Sequence, residues 1–290
     1  MRGGSVPVVN AAEVAALSSS LADNPPEARE LGLYVHVPFC AKRCGYCSFN
    51  TAPLEDGAMA RYLEAFHREI ELLGGLAWAP RVRLSTIFLG GGTPSLLTSD
   101  ELAAMLERIR SRFDVAGDAE ITVECNPESV TRDKLAGYRA AGVNRLSLGV
   151  QSLDDSILPR LGRLHDARGA RAAFEAARAA GCVNLSVDLM YGLPGLDPDG
   201  WTRAVEGVLD WGPDHLSAYG LTLDAGSLWG AAGVDGIPAT LLEARLDGDA
   251  RLRGLVDEWR ARALLTDARD RVRLTEAGFL LSDALFVELL

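Results

Sequence analysis

The chain of 290 residues is poor in cysteine, with five in all, three of them crowded into eight positions. A secreted disulfide framework spreads its cysteines in pairs, so this usage points to a reduced compartment and a cytoplasmic location is expected. Basic residues are also short, at 29 against 40 acidic ones, for a formal net charge of -11. A general nucleic-acid binder carries the opposite balance, so no nucleic-acid partner is expected. No apolar run is long enough to span a bilayer, and no transmembrane segment is expected. Arg2 is followed by a mixed stretch broken by Glu13 and several serines, which makes a poor signal peptide. Residues 1–30, rich in Ala, Ser and Pro, read as a flexible N-terminal leader.

What the chain does have is apolar material, 48% of its residues, ample for a sizeable core. Apolar runs at 33–37, 86–89, 120–124, 145–150, 184–190 and 215–221 read as buried strands. Between them, helical spacing marks 59–73, 99–113 (with Ser99 as expected N-cap), 131–141, 167–180 and 198–211, with a short helix near 154–161. Strands alternating with amphipathic helices mean βα units and a parallel sheet. Six units are visible, where a closed barrel has eight. An open, partial barrel and a doubly wound sheet both satisfy the count, and both bind ligands at the carboxyl ends of their strands.

Those ends collect the unusual residues. Strand one leads into Cys40-Ala-Lys-Arg-Cys44-Gly-Tyr-Cys47, and strand two into Gly90-Gly91-Gly92-Thr93-Pro94. Glu124 ends strand three, Gln151 follows strand four, and Asp188 and Tyr191-Gly192 close strand five. Thiolates suit iron–sulfur clusters and zinc, and structural sites of either kind usually take four protein ligands. Three thiolates on a four-iron cube would leave one iron open for an amino-acid chelate. Zinc completed by His36 or a carboxylate is the alternative. The glycine run lets backbone amides approach a ligand, although a tight βα turn also explains it. Glu124 at a strand end calls for a cationic partner, either a ligand or an internal salt bridge. Gln151 and Asp188 suit hydrogen bonds to a ribose. Arg163 reads either as a bidentate carboxylate holder or as a surface arginine. Cys125 and Cys182 read as small buried residues. His165 and His215 read equally as structural or functional.

These residues together resemble a known family. Tyr34-Val-His-Val-Pro-Phe-Cys40-Ala-Lys-Arg-Cys44-Gly-Tyr-Cys47-Ser-Phe-Asn is similar to the start of a radical S-adenosylmethionine domain. The narrower resemblance is to the group holding oxygen-independent coproporphyrinogen III oxidase and the heme chaperone HemW. Gly90-Gly-Gly-Thr-Pro-Ser, Glu124-Cys-Asn-Pro, Gly149-Val-Gln-Ser and Asp188-Leu-Met-Tyr-Gly-Leu-Pro-Gly match it in order, over about residues 31–222. The resemblance implies an α/β fold, a partial (β/α)6 TIM-like barrel with a small, mostly helical C-terminal subdomain. It implies a [4Fe-4S] cluster on Cys40, Cys44 and Cys47. It implies S-adenosylmethionine surrounded by Tyr34, Tyr46, Gly91, Gly92, Thr93, Glu124, Gln151, Arg163, Asp188 and Thr222.

The residue after the third cysteine separates two branches. The oxidase branch has a further cysteine there, and this chain has Ser48. Ser48 and the stretch His215-Leu-Ser-Ala-Tyr-Gly-Leu-Thr resemble the heme chaperone branch. That branch implies heme as cargo, heme-acceptor proteins as partners and a low-potential electron donor. It does not imply porphyrinogen decarboxylation. The alternatives are an oxidase-like enzyme of porphyrin biosynthesis and a degenerate cofactor-binding member. One departure stands out: between Ser227 and about Leu241 relatives carry a segment with a His-Asn-x-x-Tyr-Trp motif, absent here. The expected organisation is a leader over 1–30, a radical SAM core over 31–222, a connector over 223–248 and a shortened, winged-helix-like subdomain over 249–290. A short strand is expected at 271–275 and a helix over 276–290.

Overall fold

The structure, a computed structural model, describes residues 25–193, 195–224, 227–229, 237–268 and 270–275, together with Ser20 and Ala22. Six strands form one sheet: β1 (Glu30–Val37), β2 (Arg83–Gly91), β3 (Asp114–Cys125), β4 (Arg145–Gln151), β5 (Asn184–Tyr191) and β6 (His215–Gly220). They lie side by side in sequence order, every neighbouring pair parallel. Five longer helices cross between them, α1 (Ala58–Gly74), α2 (Ser99–Arg110), α3 (Arg132–Ala140), α4 (Ala167–Ala179) and α5 (Pro198–Leu209), and the expected short helix stands at Leu158–Leu161. An unbroken sequential order with β1 and β6 at opposite edges is an open half-barrel. A doubly wound sheet reverses its strand order at a switch point, and none occurs here.

The core follows from patterning. In β4 and β5 nearly every residue is buried, because helices cover one face and the barrel interior covers the other. Helix α2 buries Leu102, Met105, Leu106 and Ile109, a stripe at helical spacing. Helix α4 buries Ala170, Ala173, Phe174 and Ala177, so its small side chains let it lie close on the sheet. Each fully buried Leu or Ile contributes roughly 2 kcal/mol.

Caps set the helix starts. Thr98, not Ser99, caps α2: its hydroxyl accepts from the Glu101 amide, and the Glu101 carboxylate accepts from the Thr98 amide. This capping box outcompetes Ser99 because it satisfies two orphan donors at once. Ser99 instead donates its hydroxyl to Lys134 O on α3. Thr131, Asp166 and Asp197 cap α3, α4 and α5.

After β6 the chain forms α6 (Ala239–Leu246), α7 (Ala250–Ala261), β7 (Leu265–Ala268) and β8 (Arg271–Leu274). Helix α6 falls within the stretch expected as a connector. Strands β7 and β8 pair antiparallel, and Ile237–Pro238 pairs with β8. Leu242, Leu246, Val256 and Val272 make a small separate core there. Among the described residues the region is two helices with a small three-stranded sheet, helix being the larger part. The helix expected over 276–290 and most of the expected leader lie outside the described residues.

Candidate functional site

The cysteine loop leaves β1 and is closed at its base by a two-residue parallel pairing, Phe39–Cys40 with Ala52–Pro53. Within it the Cys47 amide donates to Cys44 O at 3.3 Å, a tight turn between the last two cysteines. Cys40, Cys44 and Cys47 are free and half-buried, and all three line one cleft of about 360 Å³ at the carboxyl ends of the strands. Burial pushes the Cys40 thiol up, with a further rise from the neighbouring Cys47 and Cys44.

The glycine run is locked to this loop. The amides of Gly91, Gly92 and the following Thr93 are spent inside the protein: Gly91 N–H donates to Glu124 Oε2 at 3.1 Å, Gly92 N–H to Val37 O at 2.8 Å, and Thr93 N–H to Phe39 O at 2.7 Å. The expectation that these amides face a ligand is therefore corrected. Gly91 has φ 110, in the left-handed region that favours glycine. A Cβ on Gly92 would stand 2.5 Å from Phe39 O, so the close approach of two backbones excludes any side chain.

Glu124, at the end of β3, faces the cleft. Among the described residues it makes no ion pair, so the internal salt-bridge reading does not hold. Burial pushes its carboxyl up to about 7, against the opposing Gly91 hydrogen bond and with help from Asp188. Asp188, on β5, lines the same cleft and is also raised by burial; Ser147 Oγ lies 3.0 Å from both its oxygens. Arg145 and His215 act on Asp188 only from a distance, and neither carboxylate makes an ion pair among the described residues, so the two suit a positively charged ligand.

Gln151 ends β4 at φ 68, where a side chain other than glycine is strained, and the β4–β5 register shifts there. Such strain gathers at ligand sites. Arg163 is neither on the surface nor free. Its Nη2 donates to Asn126 Oδ1 at 2.7 Å and to Gly149 O at 2.5 Å, while Nη1 lies 3.9 Å from Cys44 Sγ. Its buried Nε has no hydrogen-bond partner among the described residues. Burial works against its charge, but Tyr46, Cys44 and Glu128 outweigh that and raise its pKa. Tyr46, Gly91, Gly92, Thr93 and Thr222 also line the cleft. Thr222 stands two positions past the end of β6, not within it.

Tyr34 alone of the expected residues stands outside the cleft wall. It is 56% exposed, and its hydroxyl lies 3.0 Å from His36 Nδ1. The other His36 nitrogen faces Asn50 O at 2.9 Å, so both ring nitrogens are occupied and His36 does not complete a zinc site. Among the described residues no three His, Cys, Asp or Glu side chains converge as one metal ion requires. Three thiols spread around one cleft suit a polynuclear cluster, which anchors each thiolate on a different iron. Cys125 and Cys182 are buried; Cys125 also lines the cleft beside Glu124, whereas Cys182 does not. His165 lies between Glu128 Oε2 and Val150 O, at 3.1 Å from each, and is structural.

Asn126, Ser147, Tyr219 and Asp224 also line the cleft and escaped sequence reasoning. Asn126 reads as turn punctuation before a proline. Ser147 is a lone polar residue on an apolar strand, a faint signal. Tyr219 and Asp224 carry none.

A half-barrel with three free thiols and two unpaired carboxylates at its mouth defines the class: a cofactor-binding protein of the partial-barrel kind. Residues 34–206 match the family model described as "Radical SAM superfamily". The chain belongs to that superfamily, whose membership implies a [4Fe-4S] cluster and S-adenosylmethionine. It is 43% identical to the heme chaperone HemW of Mycobacterium tuberculosis (strain CDC 1551 / Oshkosh), over 70% of this chain and 52% of the relative. It is 39% identical to the heme chaperone HemW of Escherichia coli (strain K12), over 69% and 53%. It thus spans about half the length of the curated relatives it matches. Among solved structures, coproporphyrinogen III oxidase (HemN) from Escherichia coli superposes with TM-score 0.67 at 25% identity, covering 90% of this chain and 64% of that one.

Proposed function

We propose that the chain is a heme chaperone-like radical SAM protein. It binds a [4Fe-4S] cluster through Cys40, Cys44 and Cys47, takes S-adenosylmethionine into the adjoining cleft, and carries heme to acceptor proteins. The observation that carries the cofactor part is the pair of carboxylates, Glu124 and Asp188, that line the cleft with the three thiols and make no ion pair among the described residues. Their charge holds an ammonium and a sulfonium. Gln151 presents its amide from a strained backbone, at a fixed place on the rim. Arg163 ties the exits of β3 and β4 to Cys44 and offsets thiolate charge. Gly91 and Gly92 serve through their carbonyls and bare Cα surface. Tyr34 acts from the rim, through His36, rather than by contact within the cleft. When bound, a cluster with one open iron supplies an electron for cleaving a sulfonium C–S bond.

The heme part rests on the relatives' printed names and on Ser48, which stands where the oxidase branch has a cysteine. A cytoplasmic site of action follows from the thiol usage. Among the described residues no helix is long and apolar enough to cross a membrane. The test is anaerobic reconstitution with iron and sulfide, then titration with heme and transfer to an apo-hemoprotein. Four irons per chain and a stable heme adduct are expected; a chain that takes up the cluster but no heme overturns the chaperone reading. The superposition on HemN favours a second reading, an oxidase-like radical enzyme. Reductant-dependent cleavage of S-adenosylmethionine that requires a porphyrinogen would select it.

A further inference from the structure

Two short stretches beyond β6, 221–224 and 227–229, are tied to the cysteine loop by side chain and backbone. Ser48 Oγ donates to Asp224 Oδ2 at 2.6 Å, across 176 positions of sequence. Trp229 N–H donates to Gly45 O at 2.9 Å. The Trp229 indole meets Tyr46 edge-on, with centroids 6.1 Å apart, and fills the space a Gly45 side chain would need. Glycine at position 45, between the second and third cysteines, is thus explained by the indole that lies on it.

The same stretches are well anchored below. The Leu221 amide donates to Tyr191 O at 3.0 Å, and Ser227, fully buried, donates its hydroxyl to Asp224 O at 2.8 Å. Leu221 belongs to a hydrophobic cluster with Ile157, Leu161, Met190 and Leu193, against which Tyr46 and Trp229 pack. That cluster is separate from the main core. The topology makes the contact telling. β1 and β6 are the two edges of an open sheet, and no strand pairing joins them. The loop after β1 and the chain after β6 nevertheless meet at the mouth.

We infer that the chain after β6 is a retaining strap for the cysteine loop, with Ser48, Asp224 and Trp229 as positioning residues. They hold Cys44 and Cys47 in one geometry toward the cleft and shield the loop from solvent. The inference rests on the cluster reading only for what the loop holds, not for the strap itself.

Two measurements separate the two claims. In the metal-free chain, the thiols of the triad are titrated with a maleimide, and the sites are resolved by peptide mapping. In the reconstituted chain, iron loss to a ferrous chelator is timed. Trp229→Ala keeps the backbone hydrogen bond to Gly45 O and is expected to speed both by on the order of tenfold, the worth of the indole's packing on Tyr46 and Gly45. Ser48→Asp sets a second carboxylate against Asp224 and has the same effect; adding Asp224→Asn restores the original rate. Cys125 and Cys182 stay protected throughout, which shows that the half-barrel remains folded. Thiol rates within twofold of the unaltered chain for both Trp229→Ala and Ser48→Asp overturn the strap. If Trp229→Ala exposes Cys125, the Ser48 pair and its rescue decide alone. If the unaltered chain takes up no cluster, the cluster reading falls and the thiol rates still judge the strap.

Discussion

Glu124 makes the metal-free protein's stability depend on pH in a direction opposite to that of most carboxylates. Its folded-state pKa is pushed from 4.5 to about 7, chiefly by burial. Between those two values the folded state holds a proton that the unfolded chain has released, so stability falls as pH rises. The full difference is worth about 3 kcal/mol at ~1.4 kcal/mol per pH unit. The carboxylate keeps some contact with solvent, which trims the net effect to about 2 kcal/mol. Glu124→Gln removes the titration and keeps an oxygen to accept from the Gly91 amide. Denaturant unfolding of both chains at pH 5 and pH 8 measures it. The variant should gain about 2 kcal/mol relative to the unaltered chain on going from pH 5 to pH 8. An equal difference at both pH values refutes the reasoning. The same ionisation governs a cationic ligand: affinity for S-adenosylmethionine should strengthen as pH rises toward about 7 and level off above it. In Glu124→Gln that rise should vanish.

Replacing any one of Cys40, Cys44 or Cys47 by Ala should abolish the brown, reducible cluster, whereas Cys125→Ala and Cys182→Ala should keep it; iron and sulfide analysis reads the outcome. Gln151→Gly should relieve a left-handed backbone and stabilise the metal-free fold by roughly 1 kcal/mol while weakening S-adenosylmethionine binding, read by denaturant melts and equilibrium dialysis. Tyr138→Phe removes a buried hydroxyl that donates to Leu97 O at 2.6 Å. It should cost about 1 to 2 kcal/mol with the cluster unaffected, because neither Tyr138 nor Leu97 lines the cleft.

Much of the fold was legible because its signals are local. Burial on both faces makes β4 and β5 continuous apolar runs, and apolar residues at helical spacing mark α2 and α4. Ser99 misled because two candidate caps stand side by side, and only the reach of Glu101 decides between them. The three cysteines and the polar strand ends were legible for the same reason: each is a chemical exception at a predictable place. What their neighbours do to them was not. The amides of Gly91 and Gly92 looked available and are spent on Glu124 and Val37. Arg163 looked like a surface arginine or a carboxylate clamp, and it braces Asn126, Gly149 and Cys44.

Periodicity and composition alone determined a six-unit parallel α/β sheet with a thiol loop and a polar rim at one end. Hydrophobic burial acts residue by residue along the chain, so a pattern of 2 or 3.6 records it directly. The tertiary structure alone decided that Glu124 and Asp188 share a cleft and that neither makes an ion pair among the described residues, and that Tyr34 stays outside it. It alone brought Ser48 to Asp224 and Gly45 to Trp229. Those contacts join loops from opposite edges of the sheet, and their partners are chosen by how the sheet curves, which no local pattern encodes.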